Sequence, residues 1–141
     1  MVYLLTYDRY MKEEKIQEIC PSAKLFMKCG LKDCALEFRR FYETAMPTLE
    51  AGDEIVPAVI WTLEESELQD MDAVYPHEIY ERAVWNLKTE KGVLEATVFL
   101  MRETPFSLPQ ENELGMMEEA YEEHSFDYSC VENALDRAKD R

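Results

Sequence analysis

The sequence predicts an α+β protein folded as one domain over residues 1–141, because strand signals fill its first two thirds and helix signals its last third. Three stretches carry that prediction. Ile55-Val56-Pro57-Ala58-Val59-Ile60-Trp61 is a β-branched run too apolar to bury only one face, so it reads as a central strand. Residues 80–88 and 93–101 read as two strands of a hairpin turning at Thr89-Glu90-Lys91-Gly92, where glycine supplies the positive φ. Residues 111–124 and 128–139 are helical in character. A chain of this length buries roughly two thirds of its unfolded surface, enough for a packed core.

In chain order, Val2-Tyr3-Leu4-Leu5-Thr6-Tyr7 reads as a buried strand that runs into Asp8-Arg9-Tyr10-Met11, where a first helix is due. Such a strand-to-helix turn is where many small proteins hold an anion on free backbone N–H groups. Glycine or a small residue normally lets the backbone approach the ligand there, but here Asp8, Arg9 and Tyr10 fill the turn. Residues 12–19 form a short amphipathic helix around Ile16 and Ile19, stopped by Cys20-Pro21. Two strands follow: residues 24–28, then a bend at Gly30, then an irregular strand over 34–41 with a charged edge. Ala51-Gly52-Asp53 is a turn. Pro57 has no N–H to donate, so it marks a bulge or a strand edge in the central run. Residues 62–71 read as a short helix capped at Thr62 or Glu64, with Leu63, Leu68 and Met71 inward. Pro105 and Pro109 punctuate a loop, and the two C-terminal helices break at Ser125-Phe126-Asp127, with Asp127 as N-cap of the last. The expected core includes Val56, Val59, Trp61, Val84, Leu87, Val98 and Leu100, each worth about 1.5–3 kcal/mol on burial.

Thirty acidic against fifteen basic side chains leave a formal charge of −15, a field that repels nucleic-acid phosphates and anionic membrane surfaces. No apolar run approaches the roughly 20 residues of a membrane span, and no signal-peptide pattern opens the chain, so a cytoplasmic protein is expected. The glutamates at 111, 113, 118, 119, 122 and 123 read as a solvated helix face, with a basic protein partner as the sharper alternative. Cys20, Cys29, Cys34 and Cys130 lack disulfide-scaffold or Cys-x-x-Cys spacing, so reduced thiols are expected. Cys29 and Cys34 with His77 or His124 lack the close pairing of zinc ligands; neither metal nor cofactor is expected.

The order of these elements, with several local motifs, resembles the γ-glutamylcyclotransferase-like family, which includes the AIG2-like proteins. The family hallmark is an aromatic strand ending in Tyr-Gly-Ser-Asn-Met; Tyr7-Asp8-Arg9-Tyr10-Met11 keeps the outer two residues and replaces the inner three. Cys20-Pro21-Ser22-Ala23-Lys24-Leu25 is similar to the entry to the family's second strand, and Leu36-Glu37-Phe38 to its third. Ala45-Met46-Pro47, and Gly52 through Trp61, are similar to the turn leading into its central strand. The stretch at 68–72 resembles the family's helix end carrying Leu-Asp, and Glu119 through Asp127 its C-terminal helix junction. The resemblance implies a mixed β-barrel of about six strands with surrounding helices, holding a γ-glutamyl compound whose α-amine attacks its own γ-carbonyl to release 5-oxoproline.

That reaction needs a carboxylate base for the α-ammonium and clustered N–H donors for the substrate carboxylate. In the family the base is a glutamate in Leu-Asp-x-x-Glu-Gly and the donors come from the Gly-Ser-Asn loop. Here Met71-Asp72-Ala73-Val74-Tyr75-Pro76-His77-Glu78-Ile79-Tyr80 places Tyr75 at the glutamate position, or else deletes the Glu-Gly pair. Either way the glutamate is absent, and tyrosine, with a pKa near 10, is a poor base at neutral pH. The family's tyrosine at the start of its C-terminal helix falls on Glu113. The resemblance therefore implies a divergent member without cyclotransferase activity, retained as a small-ligand or protein-binding domain. Its ligand-contacting positions would be Tyr7, Asp8, Arg9, Tyr10, Met11 and Tyr80. The enzymatic alternative uses Glu78, or else Glu81, as a displaced base beside His77. A cavity with Glu78 pointing toward Tyr7 and Arg9 favours that alternative; a cavity plugged by Tyr10 or Tyr75 favours the binding protein.

Overall fold

A computed structural model describes residues 1–140. Its elements are β1 (Val2–Thr6), a 3₁₀ turn (Arg9–Met11), α1 (Glu13–Ile19), β2 (Lys24–Phe41), β3 (Thr44–Ala51), β4 (Glu54–Leu63) and α2 (Glu65–Leu68). After a second 3₁₀ turn (Gln69–Ala73) come β5 (Tyr80–Thr89), β6 (Gly92–Met101), α3 (Glu111–Glu123) and α4 (Ser129–Lys139). The six strands form one mixed sheet in the order β3-β2-β4-β1-β6-β5. β1 lies between β4, antiparallel, and β6, parallel.

β4 is the central strand its composition predicts: Val56, Ala58, Val59, Ile60 and Trp61 are all completely buried. Both faces of the sheet are covered here, which is why no polar alternation shows in this run. Pro57 lies beyond the Val59–Leu63 ladder with β1, where β4 has only β2 as neighbour, so its missing N–H costs nothing on the open side.

Several expected boundaries move. Residues 24–41 form one strand rather than two, because β2 exchanges β4 for β3 as its principal neighbour along its length. The change is absorbed by a register shift between Leu31 and Cys34, where Asp33 takes φ +57°, and not by a bend at Gly30. Gly30 pairs with Pro57, and a Cβ there would meet Ile55 Cγ2 at 2.8 Å. β3 is additional: Phe41 pairs with Thr44 across the tight turn Tyr42-Glu43, with Tyr42 at φ +55°. Of the two expected caps the short helix takes Glu64 and not Thr62, with Glu64 and Glu67 forming a reciprocal capping box. Tyr128, not Asp127, is the N-cap of α4, and Asp127 instead accepts the Ser129 N–H at 2.8 Å. Gly92 does take positive φ, +106°.

Of the expected core, Val56, Val59, Trp61 and Val98 are buried, Leu87 and Leu100 are half-buried, and Val84 is 62% exposed. Val84 sits on edge strand β5, on the face opposite the half-buried Trp85 and Leu87, so hydrophobicity misplaced it.

The sheet curls into a half-barrel without closing. No ladder joins β2 to β5 among the described residues. The two meet across a seam, where Lys91, at the tip of the β5–β6 hairpin, donates to the Phe26 carbonyl at 3.1 Å and lies over its ring.

Candidate functional site

The fold brings the Asp8-Arg9-Tyr10 turn and Tyr75 into direct contact. β1 delivers Tyr7 and Asp8 into the interior, and the 3₁₀ turn at Gln69–Ala73 swings Tyr75 back over them. Asp8 is 1% exposed, with one carboxylate oxygen accepting the Tyr10 N–H at 3.0 Å and the other accepting the Tyr75 hydroxyl at 2.6 Å. The first bond is an N-cap closing the 3₁₀ turn. Burial pushes the Asp8 carboxyl above the ordinary carboxylate range, against the bonds from Tyr75 and Tyr10 and the nearby Arg9 charge.

Aromatic rings pack the space around this pair. Tyr75 stacks on Phe99 at 4.7 Å and meets the edges of Tyr80 at 4.8 Å and Tyr10 at 5.7 Å. Tyr7 donates its hydroxyl to the Phe99 carbonyl at 2.5 Å. Desolvation raises the pKa values of Tyr7, Tyr75 and Tyr80, and brings Tyr10 to about 12, so these phenols are neutral at physiological pH. The Tyr80 hydroxyl is buried without a hydrogen-bond partner among the described residues.

Arg9 crosses from the loop to α3, where it pairs with Glu113 and lies 3.2 Å from Met46 Sδ. Met11 is completely buried, and its carbonyl accepts from His124 Nε2 at 2.5 Å. What remains beside Asp8 is a void of about 10 Å³ under Arg9, Met46, Glu113 and Met117. That is room for one water at most.

Of the expected site residues, Tyr7, Asp8, Arg9, Tyr10, Met11, Tyr75 and Tyr80 converge on this cluster. Glu78 does not: it is exposed and accepts from the Tyr42 hydroxyl at 3.1 Å. Glu81 faces Arg102 at 3.4 Å on the surface, and His77 is an exposed neighbour of Asp72 at 3.9 Å. Met46 and His124, which contact Arg9 and the Met11 carbonyl, gave no sequence signal for that role. Glu113 did, since a new acid opposite a new arginine is a charge-complementary pair of departures. No cluster of His, Cys, Asp and Glu suited to a metal occurs among the described residues. No helix among them is long and apolar enough to cross a membrane.

The molecule is thus a six-stranded α+β half-barrel with a plugged strand-to-turn site. Solved structures with the same architecture include a γ-glutamyl cyclotransferase, which superposes with a TM-score of 0.80 over 98% of this chain and 86% of that one at 18% identity. The uncharacterised human protein loc79017 gives 0.79 over the same shares, also at 18% identity. A mouse AIG2-like protein gives 0.56 over 80% of this chain and 90% of that one, at 15% identity. The chain therefore has the γ-glutamylcyclotransferase-like, AIG2-like fold. No family model matches its sequence, and no curated protein matches it.

Proposed function

We propose that this protein is a γ-glutamylcyclotransferase-like domain without cyclotransferase activity, in which the chain's own side chains occupy the substrate position and whose retained use is binding. The observation that carries this reading is the void of about 10 Å³ beside Asp8. Ligand pockets run to roughly 300–1,000 Å³.

The Asp8 carboxylate takes the Tyr10 N–H, a donor from the very loop on which a substrate carboxylate would rest. It also repels a second carboxylate. Tyr75 stands where the resemblance puts the base, but it donates its proton to Asp8 rather than accepting one. Removing a general base alone costs about 10²–10⁴ in rate, and loss of the substrate cradle adds to that. Glu78, directed at Tyr42 on the surface, supports no displaced-base mechanism.

The test is release of 5-oxoproline from γ-glutamyl amines and glutathione. The wild-type protein is expected to show none above the uncatalysed background. Turnover comparable to an active cyclotransferase, abolished by Glu78→Gln, would overturn the reading. Tyr75→Glu alone supplies a base without a cradle, and Asp8→Gly with Arg9→Ser and Tyr10→Asn a cradle without a base. Only the combination of all four should produce cyclotransfer; strong release by Tyr75→Glu alone would mean that the present loop already binds substrate.

A further inference from the structure

We propose that the open seam between β2 and β5 is the docking groove for an extended acidic peptide of a partner protein, which lies between the two strands as an added strand. Both walls are strand edges. Along residues 24–31, β2 is bonded to β4 on one side while its β3 ladder begins only at Cys34, and β5 is bonded to β6 alone. An edge strand presents alternate N–H and C=O groups outward, the template on which extended peptides are captured. Lys91 marks one such group by donating across the seam to the Phe26 carbonyl.

Between the walls runs a groove of about 510 Å³. This lies within the range of ligand sites, in contrast to the void at Asp8. Its floor is apolar and in register: Cys29 and Leu31 pair with Ala58 and Val56, Trp85 pairs with Ala96 and Leu87 with Leu94, and these lie on the concave face of the sheet. Trp85 and Leu87 are half-buried, so they offer area still to be covered. Alternate side chains of an incoming strand would project onto this floor. The β5 wall from Trp85 to Thr89 is about 17 Å long, enough for roughly five peptide residues.

The outward-facing side chains of that strand would meet the rim, where Lys32 and Lys88 line the groove, exposed and without an ion-pair partner among the described residues. Among the described residues no carboxylate lines the groove, so its rim is locally positive in a chain of charge −15. At physiological ionic strength the Debye length is about 8 Å, so the local lysines outweigh distant carboxylates. The acidic helix α3 packs over the 3₁₀ turn after Asp8, through Glu113 to Arg9 and Glu119 to Lys12.

The test uses a panel of fluorescein-labelled peptides of roughly seven residues, alternating Val or Ile with Glu or Asp, read by fluorescence anisotropy and amide hydrogen exchange. Saturable binding is expected, about tenfold weaker when lysine replaces the acids and about tenfold weaker when alternate peptide amides are N-methylated. Amides at 29–31 and 85–89 should exchange more slowly in the complex. Lys32→Glu with Lys88→Glu should weaken the acidic peptides and spare a neutral alternating one. Failure of the whole panel to bind, or equal binding of the N-methylated peptides, would overturn the proposal. So would concentration-dependent dimerisation that protects the same amides without peptide, since a second copy would then occupy the seam. None of these results depends on whether 5-oxoproline is released.

Discussion

The Asp8 site and the β2–β5 seam lie in one sheet, yet the first is filled with packed side chains, with only the Tyr80 hydroxyl left unpartnered among its described buried polar groups, and the second is left with apolar floor and strand edges uncovered. At Asp8 a buried carboxylate, two tyrosines and an arginine–glutamate pair leave about 10 Å³; at the seam about 510 Å³ remains. Descent from a fold does not tell which of its concavities stays in use. Burial and hydrogen-bond satisfaction do.

The contrast is sharpest in stability. Tyr75→Ala removes a fully packed ring and leaves Asp8 short of a donor, so it should lower unfolding free energy by about 3–5 kcal/mol in urea titration. The matching truncation in the seam, Leu87→Ala, removes a half-buried side chain and should cost well under half of that. Equal losses would mean the seam is a packed core and not a groove.

A smaller effect isolates the hydrogen bond. Tyr75→Phe keeps the ring stacked on Phe99 and deletes only the hydroxyl, and should cost about 1–3 kcal/mol because the buried carboxylate loses a donor. A neutral result would show that Asp8 finds another donor, and the site is less closed than its void suggests.

Asp8 also gives the site a pH signature. Its carboxyl titrates above its unfolded value near 3.9, so the folded state holds this proton more tightly than the unfolded chain does. The associated stability is fully present below about pH 4 and is lost as pH rises through the folded pKa. Asp8→Asn does not titrate and keeps an acceptor for Tyr10, so its stability relative to wild type should grow from pH 4 upward, read as urea midpoints across pH. Wild type gaining on the variant as pH rises would show that the hydrogen bonds outweigh desolvation.

The smallest change is expected at the rim, where Lys32→Glu with Lys88→Glu should shift stability by no more than about 0.5 kcal/mol. A large loss would reveal lysines engaged in holding the barrel and unavailable to a peptide.

The strands with strong local signals were legible from residues alone: the β-branched run of β4, and the β5–β6 hairpin with Gly92 at its turn. β3 was not, because Ala45-Met46-Pro47 read as part of a turn; an edge strand tolerates the proline, having one ladder to keep. β2 read as two strands because Gly30 permits a bend, whereas the chain runs on through Gly30 and bulges between Leu31 and Cys34. At the site, which residues depart from the family pattern was visible in sequence. That Asp8 and Tyr75, 67 residues apart, bond to each other was not, since local pattern carries no information about which replaced residue faces which. The outward course of Glu78 was hidden for the same reason.

One consequence of the sheet order concerns synthesis. β1, made before the other strands of this sheet, ends as an inner strand whose second neighbour, β6, begins roughly 90 residues later, so at about 5–20 residues per second it waits roughly 5–20 s with one edge open. Its partner β4 arrives earlier, and until β6 docks the nascent sheet is a four-stranded one bordered by Val2–Thr6. The cover from α3 comes later still, with Glu113 and His124. The Arg9–Met11 turn beside Asp8 is thus made before the segments that lock it in place.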